Sequence, residues 1–196
     1  DATKNMLDGM EKQVEAYNAG VKGTERKMSI ALCPDDIKTN IENKHISVVH
    51  AVEGAHSLQG VQSGKDSYDK ITSHPESVEV EVLNNLEYFF NRGVAYLGLA
   101  HFYPNHCVDP VFPYPEYGAK HMNWRKALGK WDETNGLTSL GFKVVDRMLD
   151  LGMIIDVSHC TVKARKQIYD LVDSRDKSEC VLATHMGVFE VNRLTY

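Results

Sequence analysis

Glu53, His101, His159 and His185 can each bind a metal or move a proton, and each follows an apolar, strand-forming stretch: residues 46–52, 94–100, 153–157 and 180–184. A carboxylate with two imidazoles is the donor set of a hydrolytic zinc site. Neutral imidazole nitrogen and carboxylate oxygen bind Zn2+ at about 2.0–2.2 Å, and an open position admits a water acidified to a pKa near 7. A carboxylate can also bridge two ions about 3.5–4 Å apart, since each oxygen reaches a different one. Glu53 is the best candidate for that role. The intervals between the four residues, 48, 58 and 26, fit no local ligand motif. What groups them is a placement repeated four times, because a lone histidine at a strand end is more often a capping or packing residue than a ligand.

Such residues meet only if the strands run parallel, and the rest of the chain is patterned for that. Leu7, Met10, Val14 and Tyr17 share one face of an amphipathic helix that Gly20 closes. A short helix over 34–43 carries Ile37 and Ile41 inward behind Pro34. Residues 46–52 are almost continuously apolar, as in a strand buried on both faces. Further helices are expected over 81–92, with Leu83, Leu86 and Phe90 inward, and over 139–151, with Phe142, Val145 and Leu149 inward. Gly93 and Gly152 close these two, and a last helix carries Ala164, Ile168, Leu171 and Val172 ahead of a charged loop over 173–179. Strands alternating with helices indicate parallel βαβ units, because a parallel strand needs a long return path. Their C-terminal ends gather on one rim, where sites form.

The stretch 102–136 breaks this rhythm. It holds four of the six prolines and both tryptophans, and its length suits a functional loop on the same rim. Tyr114, Tyr117, Trp124 and Trp131 read as loop anchors. His50 and His56 read as packing or supporting residues, Cys160 as a small buried side chain, and Asp156 as a residue that orients a ligand histidine or serves structure alone.

Bulk properties narrow the class. The 196 residues suit one domain, and a net charge of −5 offers no positive field for nucleic acid. With 42% hydrophobic and 25% charged residues, near globular averages, the chain reads as a soluble domain, and no apolar run approaches the roughly 20 residues of a membrane span. Cys33, Cys107, Cys160 and Cys180 form no CxxC pair, which leaves disulfides and compartment open. The opening residues show no signal-peptide pattern, and any targeting segment is expected to lie outside this sequence.

Four blocks, in order, carry a resemblance to a known family. ISVVHAVEGAHSL over 46–58 resembles the Val-Glu-Gly-Gly-His-Ser block of the membrane (renal) dipeptidase family of zinc metallopeptidases. GVAYLGLAHFYPN over 93–105 is similar to that family's Gly-Met-Arg-Tyr-Leu-Thr-Leu-Thr-His block. NGLTSLGFKVVDRMLDLGMIIDVSH over 135–159 resembles its Gly-Leu-Thr opening, amphipathic helix and Asp-x-Ser-His, and VLATH over 181–185 its Ser-His strand, less specifically.

The resemblance implies an α/β fold, a (β/α)8 TIM-type barrel of the metal-dependent hydrolase kind, of which this chain is the central, incomplete portion. It implies Zn2+ as cofactor, two ions in the complete site, with Glu53 bridging and His159 and His185 completing the second ion's shell. His101 would be no ligand but the catalytic group, hydrogen-bonding substrate while metal-bound hydroxide hydrolyses a dipeptide. Two departures stand out: no His-x-Asp pair precedes Glu53, and only eleven residues follow His185, where a further aspartate is expected. At most a partial, single-metal site is therefore expected, and Arg193 falls too early for the family's substrate-gripping arginine. The expected partner is a small peptide, with a homodimer left open. The alternatives are a related amidohydrolase acting on N-acyl amino acids or lactones, and a non-catalytic barrel serving as a binding module.

Overall fold

Ile155 pairs with Val181 and Asp156 with Leu182 in a parallel ladder, the pairing that a strand–helix–strand unit produces. The computed structural model describes residues 2–59, 75–102, 105–108, 136–175 and 180–186. Six strands are described: β1 Met28–Ile30, β2 Ile46–Val48, β3 His50–Glu53, β4 Val94–Gly98, β5 Ile154–Asp156 and β6 Val181–Leu182. The helices are α1 Ala2–Gly20, α2 Pro34–Glu42, α3 Pro75–Asn91, α4 Ser139–Leu151 and α5 Val162–Asp173, with a 3-10 turn at Ala55–Leu58. The architecture is mixed α/β. β1 and β2 form a two-stranded parallel sheet, and the other four strands form a sheet in sequence order, β3-β4-β5-β6. No helix among the described residues is long and apolar enough to cross a membrane.

The chain divides into two units, Asp1–Val52 with Ser57–Tyr96, and Glu53–His56 with Leu97–Tyr196. In the first, α1 is tied to β1 by Asn18, whose amide donates to the Met28 carbonyl and accepts from its N–H, both at 2.8 Å. Val82, Leu86 and Phe89 of α3 are fully buried. Arg92 donates to both Asp8 and Glu11 of α1, at 2.9 and 2.7 Å.

In the second unit α4 starts at Thr138, whose hydroxyl accepts from the Gly141 N–H, and ends at Gly152 in the left-handed conformation, φ 70°. α5 starts likewise at Thr161, which accepts from the Ala164 N–H. Between the helices β5 buries Ile155, and Val144, Val145, Met148, Ala164 and Ile168 complete the core around it.

Four local expectations change. Residues 46–52 do not form one strand buried on both faces: the run splits at an exposed Val49 into β2 and β3, which belong to different sheets. A nearly continuous apolar string carries no mark of a change of partner, and β1, three residues long, is too short to show a period. The buried face of α3 holds Val82, Leu86 and Phe89, with Phe90 exposed. Residues 82, 86, 89 and 83, 86, 90 both follow helical spacing, so packing decides between them. In α4, Phe142 is exposed because Gly141 is the contact: a Cβ there would lie 1.9 Å from the Cys107 carbonyl oxygen. On the exposed side of α1 and α2 stand Met10, Tyr17 and Ile41. Most of the expected rim loop, including Tyr114, Tyr117, Trp124 and Trp131, lies outside the described residues.

Gly141→Ala is expected to destabilise the chain by about 1–3 kcal/mol, the usual cost of overpacking a close contact. Gly152→Ala meets nothing within 4 Å and pays only for its left-handed backbone, about 1 kcal/mol. Denaturant midpoints of the two variants check the order.

Candidate metal centre

Glu53, His101, His159 and His185 all lie in the second unit. Glu53 ends β3, and the backbone then turns through Gly54 at φ 95°. A Cβ at Gly54 would stand 2.3 Å from His56 Nδ1 and 2.9 Å from the His101 Cβ, so only glycine permits both this turn and this approach. Pairing continues past the strand ends, as the Gly54 and Ala55 N–H groups donate to the Gly98 and Leu99 carbonyls at 2.8 and 3.0 Å. Asn105, buried, anchors the chain after His101: its side chain donates to Leu99 O and accepts from the N–H groups of Cys107 and Val108. His159 follows β5 in the left-handed conformation, φ 61°, uncommon for a residue with a Cβ and typical of constrained sites.

The three ring nitrogens and the carboxylate converge. His159 Nε2 lies 3.2 Å from Glu53 Oε1, His185 Nε2 lies 3.1 Å from the same oxygen, and the two nitrogens are 2.7 Å apart. His101 Nε2 stands at 3.7 Å from Glu53 Oε1, and Glu53, His101 and His159 offer ligand-type atoms all within 4.8 Å of one another. Two trios are thus geometrically open. The shorter separations favour Glu53, His159 and His185, and leave His101 beside them. Ligand atoms of a tetrahedral zinc stand about 3.3 Å apart, so the separations to Glu53 of 3.2 and 3.1 Å already suit the ion, and the two histidine nitrogens, 2.7 Å apart, would open by about 0.6 Å to hold it.

Local electrostatics keep an imidazole in its ligand form. Burial lowers the His159 pKa from its ordinary value, the neighbouring His185 and His101 lower it further, and Glu53 partly offsets this. His56 is lowered chiefly by burial, then by His101. Burial pushes the Cys107 and Cys160 thiols up to about 12, which makes thiolate chemistry negligible at neutral pH.

Some contacts were not foreseeable from residue types. Phe102 stacks on His101 with ring centroids 4.5 Å apart and meets His159 edge-on at 4.7 Å. Ser158 and Thr184, each immediately before a site histidine, hydrogen-bond to Asp156. The Ser-His and Thr-His dipeptides were the available signal. Asp156 acts on the segments bearing the histidines through those two hydroxyls. His56 lies beside His101, with ring centroids 6.1 Å apart, while His50 belongs to the first unit, where its Nε2 is 3.5 Å from Glu11 Oε1. Arg193 lies outside the described residues.

A model of the membrane dipeptidase family, peptidase family M19, matches residues 77–191, more than half of the chain. Among solved structures, the probable dipeptidase PvdM of Pseudomonas aeruginosa is similar at 22% identity and a TM-score of 0.51, over 84% of this chain and 34% of that one. An amidohydrolase of the same organism is similar at 15% identity and a TM-score of 0.57, over 91% and 40%. The chain therefore spans between a third and two fifths of the length of these structures. No curated protein gives a significant match.

The depressed His159 pKa has a direction that can be measured. An unfolded chain protonates this ring near 6.5 and the folded chain only below that, so its contribution to stability is complete above pH 6.5 and is lost as pH falls through the lowered value. With chelator present, His159→Gln is expected to flatten the fall of stability just below pH 6.5. Equal pH slopes for both proteins would contradict it.

Proposed function

The chain belongs to the membrane dipeptidase family, peptidase family M19, and from that premise we propose that it is the metal-holding part of a zinc-dependent hydrolase that cleaves dipeptides. The reading extends the mixed α/β fold to a single domain, part of a (β/α)8 barrel, with residues 102–136 as a loop over its catalytic rim. Glu53, His159 and His185 would hold a zinc ion, and Glu53 would bridge to a second ion where ligands beyond these complete the site. What carries the proposal is the mutual approach, within 3.2 Å, of three ligand-type atoms from three strand ends.

When bound, zinc supplies an acidified water and polarises a carbonyl oxygen. The chain's residues then have separate tasks. One carboxylate and two neutral imidazoles leave the site one unit positive, which favours an electron-rich carbonyl of the substrate. His101, 3.7 Å from Glu53 Oε1 and stacked on Phe102, would donate a hydrogen bond to that oxygen as negative charge develops on it. Phe102, exposed beside both rings, would give the substrate an apolar wall and keep water from the flank of His101. A donor of this kind is worth about 10²–10³ in rate.

Two variants separate holding from catalysis in the protein carrying this chain. His101→Ala is expected to retain zinc and lose about 10²–10³-fold in dipeptide hydrolysis, whereas His159→Ala is expected to lose the metal itself. Elemental analysis beside an assay on dipeptides, N-acyl amino acids and lactones reads both. Preference for N-acyl amino acids or lactones would replace the dipeptide with those amidohydrolase substrates. Purification without zinc, and no stabilisation by added zinc, would point instead to a binding module.

A further inference from the structure

Asp156 ends β5 with 2% of its surface exposed and accepts four hydrogen bonds. Its Oδ1 takes the Ser158 N–H at 3.0 Å, the Ser158 hydroxyl at 2.7 Å and the Thr184 N–H at 3.2 Å, and its Oδ2 takes the Thr184 hydroxyl at 2.6 Å. Ser158 Oγ in turn accepts the His185 N–H at 3.2 Å. One buried carboxylate thus ties together the two strand ends that carry His159 and His185.

The direction of one further bond follows from counting protons. Thr184 Oγ1 has a single hydrogen and three neighbours that could engage it: Asp156 Oδ2 at 2.6 Å, His185 Nδ1 at 2.9 Å and Ser158 Oγ at 3.1 Å. A carboxylate only accepts, and a hydroxyl–carboxylate bond of this length is the strongest of the three. The Thr184 proton is therefore committed to Asp156. Towards His185 the same oxygen can only accept, so Nδ1 must donate.

We propose that Asp156, acting through the Thr184 hydroxyl, holds His185 in the Nδ1–H tautomer and so presents a bare Nε2 to the site. Both are positioning residues. A neutral imidazole free in water prefers the opposite tautomer, with the proton on Nε2, where it would block a metal. The relay sets in advance the form that a ligand must have, as hydrogen bonds to the far nitrogen of metal-bound histidines do in general. On its other side His185 Nε2 faces His159 Nε2 at 2.7 Å and Glu53 Oε1 at 3.1 Å. A proton on His159 Nε2, itself 3.2 Å from that oxygen, can be shared between both acceptors, whereas a His185 Nε2–H donated to Glu53 is the competing arrangement that the tautomer measurement separates from it. The importance of the tautomer for zinc rests on the proposed function; the tautomer itself does not.

Nitrogen-15 NMR of the metal-free chain at mildly alkaline pH reads it directly, with the His185 signals assigned by difference from His185→Gln. The expected result is a protonated Nδ1 and a bare Nε2. Thr184→Val, which keeps the shape and removes the hydroxyl, is expected to shift the ring towards Nε2–H and weaken zinc binding by about 10–100-fold. Thr184→Ser is expected to restore both. A protonated Nε2 in the unaltered chain overturns the proposal without recourse to any variant, as does a tautomer unchanged in Thr184→Val. If the tautomer responds as expected but the unaltered chain takes up no zinc, the relay stands and the metal assignment falls.

Discussion

Two imidazole nitrogens 2.7 Å apart, each within 3.2 Å of one carboxylate oxygen, cannot both carry a proton and a charge without strong repulsion. This crowding is the constraint on which the second unit depends. It is tolerable where the rings stay neutral, where a carboxylate offsets residual charge, and where the backbone sets the place of each ring, His185 remaining half exposed. Burial and the neighbouring histidines hold His159 towards its neutral form. Gly54, the left-handed His159 and the parallel β5–β6 pairing supply the backbone.

Asp156 stands at the junction of these requirements. Burial alone would raise its pKa, but hydrogen bonds from Thr184 and Ser158 outweigh that and hold it below the ordinary carboxylate value. An ionised carboxylate in the interior is costly unless its lone pairs are used, and here four donors use them. The same bonds that satisfy the charge also align the segments bearing the two histidines. Stability and site geometry are therefore properties of one network, and the buried Cys107 and Cys160, inert as thiols, serve packing alone.

The sequence made the alternation of strands and helices legible, because hydrophobic periods and capping glycines are local signals. α4 begins and ends where its pattern said, at Ser139–Leu151. The convergence of Glu53, His101, His159 and His185 was legible too, since Glu53 ends a strand and each histidine stands just beyond one. What stayed hidden was non-local. The split at Val49 depends on which strands lie alongside. The rotation of α4 depends on Cys107, 34 residues before Gly141 in the chain. Thr184 and Ser158 looked like ordinary strand-end residues until Asp156 was seen to hold both.

The central claim is that Glu53, His159 and His185, rather than Glu53, His101 and His159, enclose one metal position. Anomalous diffraction from zinc-loaded crystals tests it most directly. A zinc peak is expected at about 2.0–2.2 Å from a Glu53 oxygen and from Nε2 of both His159 and His185, with His101 Nε2 outside bonding distance. A peak bound by His101 with His185 turned away, or zinc held elsewhere in the chain, would contradict it.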